Sequence, residues 1–254
     1  MITGFDHVVI AVRDIAAGVA AYETLLGAQA RTREDDGVAI AEFVTSNLII
    51  ELIAPVGSGG ERVSAVLEQG EGLKSLVFAA RHLDALHRRA DRVGLAPDPI
   101  TNGETHRSFR VGKQASHGVR LFCLERAVSS TPTADIVRGI DHIVIRTPEP
   151  ERAAALYGAR LGLEMRLDRT LMERRLMFFR CGDAVLEVVR MSSLKQDDLW
   201  GLSWRVADAD AARARLEAAG LDVSDVRAGM KPGTRVFTVR DGTCNVPTLM
   251  LEAR

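Results

Sequence analysis

The side chains of this sequence that are best suited to chemistry occur in two matching sets. His7 lies in GFDHVVIAVR, and His142 lies in GIDHIVIR, 135 residues later in the chain. Glu51 follows in NLIIELI, and Glu187 recurs in DAVLEVV after 136 residues. Imidazole and carboxylate groups can bind a divalent metal ion or exchange protons with a substrate. Each half of the chain therefore brings one histidine and one glutamate that could act together.

The nearly constant spacing of these segments indicates a tandem duplication. Both halves also end alike, at GVRLFCLE and NVPTLMLE. Between the halves, residues 129–135 (SSTPTAD) are polar, contain proline and show no periodicity, which is typical of a linker. The sequence therefore predicts two domains, formed by residues 1–128 and residues 136–254.

Each half divides again into two modules with the order βαβββ. In the first module an apolar, β-branched run at 8–12 precedes residues 15–26, whose apolar positions share one helical face and which close at Gly27. The third module starts at Ile140, and the fourth ends at Leu251. The other strands predicted in the first half are 29–33, 37–44, 47–53, 73–80, 96–101, 106–112 and 118–125, and the other predicted helices are 82–94, 150–161 and 208–220.

The composition favours a globular protein with a small-molecule ligand. Of the 254 residues, 46% are apolar and 26% are charged, which suits ordinary buried cores. There is no apolar stretch of about 20 residues that could span a membrane, and the N-terminus lacks the features of a signal peptide, so we expect a cytoplasmic location. A formal net charge of -1 gives no reason to expect nucleic acid or a membrane as partner, and both a monomer and a homodimer remain open.

Several classes of site are disfavoured by the motifs. Cys123, Cys181 and Cys244 are too few and too widely spaced for a disulfide framework or a CxxC zinc site, and we expect buried thiols. Dinucleotide-binding, phosphate-loop and serine-hydrolase motifs are not found in the sequence, which argues against a nucleotide cofactor.

Two segments resemble the opening strand and helix of modules of the vicinal oxygen chelate superfamily, which includes glyoxalases, bleomycin-resistance proteins and extradiol dioxygenases. They are DHVVIAVRDIAAGVAAYETLLG and DHIVIRTPEPERAAALYGARLG. Tyr22 and Tyr157 lie near the helix ends, and a Leu-Gly pair follows four residues after each, at Leu26-Gly27 and Leu161-Gly162. The resemblance extends over nearly the whole chain. It implies an α+β fold of four βαβββ modules, which form two tandem glyoxalase-like domains with cupped mixed sheets and with the ligand inside the cup.

The resemblance also implies where a metal ion would be held. In metal-binding members the ligands come from the first and last strands of each module, and these slots fall on His7, Glu51, His142 and Glu187 in modules one and three. In modules two and four the slots fall on residues that are poor ligands, namely Ser75, Phe122, Gly201 and Leu249. Each cup then keeps one histidine and one glutamate, too few for a tightly held ion. At most one weakly held divalent ion is expected.

Three interpretations of these residues follow. In the first, His7 with Glu51 and His142 with Glu187 are remnants of metal sites that now hydrogen-bond each other or a substrate. In the second, water, substrate oxygens, His106 or His117 replace the missing ligands. In the third, modules one and three pair so that all four residues meet at one ion.

Alternation along the strands predicts what else faces each cup. In the first half these residues are mostly apolar: Phe5, Val9, Ala11, Ile49, Ile53, Val77, Ala79, Phe122 and Arg120. The second half adds two arginines to Val144, Val185, Val189 and Leu249, namely Arg146 and Arg205, together with Ser203. Arginine binds carboxylate and phosphate groups bidentately. We therefore expect Arg146, Arg205 and Ser203 to bind a small organic anion, for which Gly201 leaves room.

Two functions from different classes fit these features. As an enzyme, the protein would be a lyase, an isomerase or a relative of ring-cleaving dioxygenases, with Glu51 or Glu187 as general base and His7 or His142 as its partner or as a metal ligand. As a binding protein of the bleomycin-resistance type, it would sequester a small molecule without metal and without turnover. The two retained His/Glu pairs favour the enzyme, and the four lost slots favour binding.

Overall fold

The computed structural model describes residues 1–127, 132, 136–171 and 173–253. The predicted linker, residues 129–135, lies outside the described residues except for Pro132. The boundaries predicted for the two domains rest on that linker, and they stay a prediction.

The described residues form strands and short helices in the order that the four modules predict. The helices are α1 (Ile15–Leu26), α2 (Glu61–Leu67), α3 (Leu83–Arg92), α4 (Pro150–Ala154) and α5 (Ala209–Ala218). The strands of the first half are β1 (Ile2–Ala11), β2 (Arg31–Asp35), β3 (Val38–Val44), β4 (Ile49–Pro55), β5 (Gly72–Ala80), β6 (Thr101–Asn102), β7 (His106–Arg110) and β8 (Arg120–Arg126). Those of the second half are β9 (Val137–Thr147), β10 (Glu164–Leu171), β11 (Arg174–Cys181), β12 (Ala184–Arg190), β13 (Asp198–Val206), β14 (Arg227–Ala228), β15 (Thr234–Val239) and β16 (Thr248–Ala253).

The described strands form two eight-stranded mixed sheets with the same topology. The first sheet has the order β2-β3-β4-β1-β5-β8-β7-β6, and the second has the order β10-β11-β12-β9-β13-β16-β15-β14. Parallel pairs such as β12 with β9 and β5 with β8 lie beside antiparallel hairpins in both sheets. The predicted α+β fold of repeated βαβββ modules is confirmed.

Local signals explain the boundaries of α1, which match the predicted helix. The carboxylate of Asp14 accepts hydrogen bonds from the backbone N–H groups of Ala16 and Ala17, at 2.8 and 3.1 Å, and so caps the helix. Gly27 ends it in the left-handed conformation at φ 66°, which costs little without a Cβ atom. None of the described helices is both long and apolar enough to cross a membrane.

Two helical segments differ from the sequence prediction. A 3₁₀ turn at Gly57–Gly60 and helix α2 were not predicted, because a glycine-rich start weakens the helical pattern. Packing stabilises α2, since Val63 and Leu67 are buried against Ala11. The single helix predicted at 150–161 consists of α4 and a π-helical turn, Ala155–Arg160.

The chain divides into two compact units, each with its own buried core. One unit contains Met1–His7, Ser75–Ser130 and His142–Trp200, and its core includes Phe78, Tyr157 and Phe179. The other unit contains Val8–Lys74, Thr131–Asp141 and Gly201–Arg254, and its core includes Tyr22, Phe43 and Trp204. The first unit combines most of modules two and three, and the second combines most of modules one and four.

The three cysteines are free thiols. Cys123 and Cys181 are fully buried, as predicted, and Cys244 is partly buried. Burial raises the pKa of Cys123 to about 12 and that of Cys244 to about 11. These thiols therefore stay protonated and are not nucleophiles at neutral pH.

Candidate active site

The structure brings His142 and Glu187 together. They lie on the neighbouring parallel strands β9 and β12, where Val185 pairs with His142 and Glu187 pairs with Val144. The Nε2 atom of His142 is 3.2 Å from the Oε2 atom of Glu187, and their side chains are only 16% and 10% exposed. A largely buried imidazole next to a carboxylate can transfer a proton to or from a bound molecule.

His7 has a different partner. Its Nδ1 atom is 2.6 Å from the Oδ1 atom of Asp6, and the same carboxylate accepts hydrogen bonds from Arg126 at 2.7 and 2.8 Å. Burial alone would raise the pKa of Asp6, but the hydrogen bonds from His7 and Arg126 outweigh it and lower this pKa. Asp6 is not among the residues predicted from the sequence, although an aspartate precedes the histidine in both repeats.

Glu51 belongs to a cluster of charges on neighbouring strands of its own unit. It lies directly opposite Glu42 in the antiparallel pair of β3 and β4. Arg33 lies between the two carboxylates, with its Nη2 atom 3.5 Å from Glu42 and 3.8 Å from Glu51. Its cation offsets the repulsion between two like charges that face each other across strands. Glu51 therefore has an arginine as its ion-pair partner, where Glu187 has a histidine.

The two arginines expected to bind an anion already have carboxylate partners. Arg146 donates two hydrogen bonds to Asp198, at 3.0 and 2.5 Å, and its guanidinium carbon lies 5.2 Å from the centre of the Trp200 ring. The Nε atom of Arg205 donates to Asp141 at 3.1 Å. A ligand anion must therefore compete with these carboxylates, which no pattern in the sequence indicates.

The expectation that Gly201 leaves room for a ligand is wrong. A Cβ atom at this position would lie 2.8 Å from the carbonyl oxygen of Pro247, so the backbone of a neighbouring segment already occupies the space. Leu202 donates its N–H to the same oxygen at 3.0 Å. Ser203 is buried, opposite Leu249 in the pair of β13 and β16. Glycine is therefore required here for close packing of the backbone.

Phe5 and His7 contact different side chains at the start of β1. Phe5 was expected to face the cup with His7, but its ring packs 5.8 Å from that of Phe78, which is completely buried. The consecutive side chains of Asp6 and His7 contact each other. The orientation of Phe5 toward the cup stays a prediction.

The residues present do not fit a tightly held metal ion. Within the described part of the chain, no group of three or more His, Cys, Asp or Glu side chains lies close enough to share an ion. This does not support the interpretation in which four ligands meet at one ion. His142 and Glu187 together offer two donors, whereas catalytic metal sites in proteins commonly use three or more.

This donor set leads to a prediction about metal content. Protein purified without a tag from medium supplemented with manganese, iron and zinc salts should contain well below one tightly bound divalent ion per chain, because two donors hold an ion weakly. Mass spectrometry of the metal after gel filtration measures this ratio. One ion per chain that is lost in His142→Ala would contradict the prediction.

Models of known protein families match both halves of the chain. The model of a family described as a glyoxalase-like domain matches residues 5–121. The model of the glyoxalase/bleomycin resistance protein/dioxygenase superfamily matches residues 141–238. The chain therefore belongs to the vicinal oxygen chelate superfamily. No curated protein sequence matches it.

Solved structures share the fold of this vicinal oxygen chelate protein at low sequence identity. A triple mutant of 4-hydroxymandelate synthase from Streptomyces coelicolor has 13% identity and a TM-score of 0.79, with 100% of this chain and 94% of that chain covered. A Mn(II)-bound glyoxalase from Novosphingobium aromaticivorans has 16% identity and a TM-score of 0.73, with coverage of 99% and 82%. A halotolerant catechol dioxygenase has 12% identity and a TM-score of 0.71, with coverage of 100% and 87%.

Proposed function

We propose that this vicinal oxygen chelate protein is a lyase or isomerase that moves a proton on a small organic acid, with His142 and Glu187 as the reacting pair. The contact of 3.2 Å between these two side chains supports the proposal. Glu187 is the general base, and His142 donates a hydrogen bond from Nε2 that orients the carboxylate. Their low exposure keeps water from competing for the proton.

The neighbouring side chains support a small anionic substrate with an apolar body. Arg146 follows His142 by four positions on β9, so alternation places both on one face of the sheet. Asp198, the partner of Arg146, is more than one third exposed and can turn to solvent when a substrate carboxylate takes its place. Trp200 is 40% exposed beside the guanidinium and offers a flat apolar surface. Arg205 and Ser203 belong to the other compact unit, where Arg205 pairs with Asp141, and their role in binding stays a prediction from the sequence.

The glyoxalase among the structural relatives binds Mn(II), and a weakly held divalent ion is compatible with the pair His142 and Glu187. Such an ion would polarise a substrate oxygen. The proton transfer proposed here relies on the chain's own residues.

Deuterium exchange tests the proposal directly, because it detects the proton transfer whatever bond changes follow it. The protein is incubated in D2O with a panel of 2-oxo acids and small aromatic acids that carry an acidic C–H bond, once with EDTA and once with Mn(II). Loss of a proton signal from one acid, faster than in buffer, is the expected result, because the base returns a deuteron to the carbon atom. No exchange with any acid, with or without Mn(II), would contradict it.

A second candidate function is sequestration without turnover, in the manner of bleomycin-resistance proteins. One observation favours it: the carbonyl group of Pro247 occupies the space beside Gly201, so a side chain that could bind a metal ion does not fit at this position. The same panel separates the two candidates. A sequestering protein would broaden or shift the signals of a bound acid and leave every C–H bond intact.

A further inference from the structure

A cavity of about 430 Å³ lies within the unit that contains His142, and it is lined by residues other than those proposed above. Three segments form it: the β7–β8 loop at 113–118, residues 148–152 where α4 begins, and residues 195–197 just before β13. Its volume falls within the range typical of small-molecule sites. Neither His142, Glu187 nor Arg146 lines it.

A buried histidine and a buried aspartate face each other in this cavity without a hydrogen bond. The side chains of His117 and Asp197 are 8% and 3% exposed, and the Nδ1 atom of the first is 3.7 Å from the Oδ2 atom of the second. Neither atom has a hydrogen-bond partner among the described residues. The backbone holds them in place, because the N–H of Asp197 donates to the carbonyl oxygen of His117 at 3.1 Å. Most buried polar atoms in folded proteins have a hydrogen-bond partner, so this donor and this acceptor can each take one from a bound molecule.

The hydrogen bonds around His117 define the group that fits this gap. Arg160 approaches the Nε2 atom at 3.4 Å, and an arginine can only donate, so Nε2 is the acceptor and Nδ1 carries the proton. Burial and then the cations of Arg152 and Arg160 lower the pKa of His117, which keeps the ring neutral. The gap thus presents an N–H donor and a carboxylate acceptor. A hydroxyl group that accepts from the first and donates to the second would satisfy both atoms.

The remainder of the lining is rich in cations. Lys113, Lys195 and Arg152 line the cavity, and Arg152 is paired with Glu149 at 2.8 Å. Over the part of the chain that the structure describes, Lys113 and Lys195 form no ion pair with a carboxylate. Two ammonium groups without partners beside a cavity favour a carboxylate or a phosphate group on the ligand.

We propose that this cavity is a second binding site, which takes a small hydroxy acid. Its hydroxyl group bridges Nδ1 of His117 and Oδ2 of Asp197, and its carboxylate or phosphate group pairs with Lys113 and Lys195. The site is distinct from the pair of His142 and Glu187, so it stands independently of the proposed proton transfer.

Three probes test the site by isothermal titration calorimetry at about pH 7.5, where the carboxyl group of Asp197, with a pKa of about 6, is ionised. Malate and succinate have the same two carboxylates, and only malate has a hydroxyl group. Glycerol 3-phosphate keeps hydroxyl groups and replaces the carboxylates by phosphate. Malate or glycerol 3-phosphate should bind at least about tenfold more tightly than succinate, in line with a charge-assisted hydrogen bond. Whichever of the two binds more tightly identifies the anionic group.

Variants assign the binding to these side chains. Asp197→Asn should reduce the affinity for malate or glycerol 3-phosphate to the level of succinate, because the amide is a poorer acceptor for the hydroxyl proton. Lys113→Met with Lys195→Met should weaken all three probes, whereas Lys231→Met, an exposed lysine of the other unit, should not. The proposal is overturned if no probe binds, if succinate binds as tightly as malate and glycerol 3-phosphate, or if Asp197→Asn has no effect.

Discussion

Replacement of Glu187 by glutamine should slow deuterium exchange on the responsive acid by at least about a hundredfold, the usual range for loss of a general base. Glutamine has the same shape and can still accept a hydrogen bond from His142, which lies 3.2 Å away. It cannot take up a proton at neutral pH. The rate of exchange should therefore fall, while the affinity for the acid changes little.

Two further variants show whether the effect belongs to this position. Glu164→Gln removes an exposed carboxylate of β10 in the same unit and should leave the rate unchanged. Glu51→Gln tests the corresponding residue of the first repeat, whose partner is Arg33. If Glu51→Gln slows the exchange and Glu187→Gln does not, the working base lies in the first repeat and our assignment is wrong.

Replacement of Asp197 by asparagine should stabilise the protein by up to about 3 kcal/mol at about pH 8, since a pKa difference of one between the folded and unfolded chain corresponds to about 1.4 kcal/mol. Burial raises the pKa of Asp197 to about 6 from an ordinary value of 3.8, an effect that the hydrogen bond from Thr147 and the charge of Arg152 only partly offset. Asparagine fits the same space and carries no charge that must be buried.

The sign of this effect follows from proton linkage. Between about pH 4 and pH 6 the folded chain keeps a proton on Asp197 that the unfolded chain has released, so the wild type loses stability as the pH rises through this window. The advantage of Asp197→Asn should therefore grow across the window, stay constant above it and vanish below it. Urea denaturation of both proteins over a series of pH values measures the difference in the free energy of unfolding.

Asp225→Asn is the matched control, because the side chain of Asp225 is fully exposed. It should show no such dependence on pH. A variant Asp197→Asn that is less stable than the wild type at about pH 8 would show that the ionised carboxylate is satisfied in the folded chain. The expected stability also means that loss of binding in this variant cannot be attributed to unfolding.

The repeat, the order of the modules and the α+β class can all be predicted from the sequence. These follow from short-range patterns, such as the helix from Ile15 to Leu26 between an aspartate cap and Gly27. Repetition of the segments around His7 and His142 also identified residues that can carry chemistry. Periodicity and capping act over a few residues, so they can be read directly from the chain.

The partners of those residues depend on the three-dimensional arrangement of the strands. The repeats place histidine and glutamate at matching positions, yet His142 contacts Glu187 while His7 contacts Asp6. The difference arises from which charged side chains the neighbouring strands and loops bring within reach, and Arg126 and Arg33 are such side chains in the first repeat.

The close approach of His117 and Asp197 depends even more strongly on tertiary structure. Two loops from different modules bring these side chains to 3.7 Å, and no local pattern marks either of them. Their burial, which raises the pKa of Asp197, is a property of packing between segments far apart in sequence. Distances of a few ångströms determine which charged groups form ion pairs, which buried polar atoms lack a partner, and whether a side chain fits at a position such as Gly201. A sequence pattern does not specify such distances.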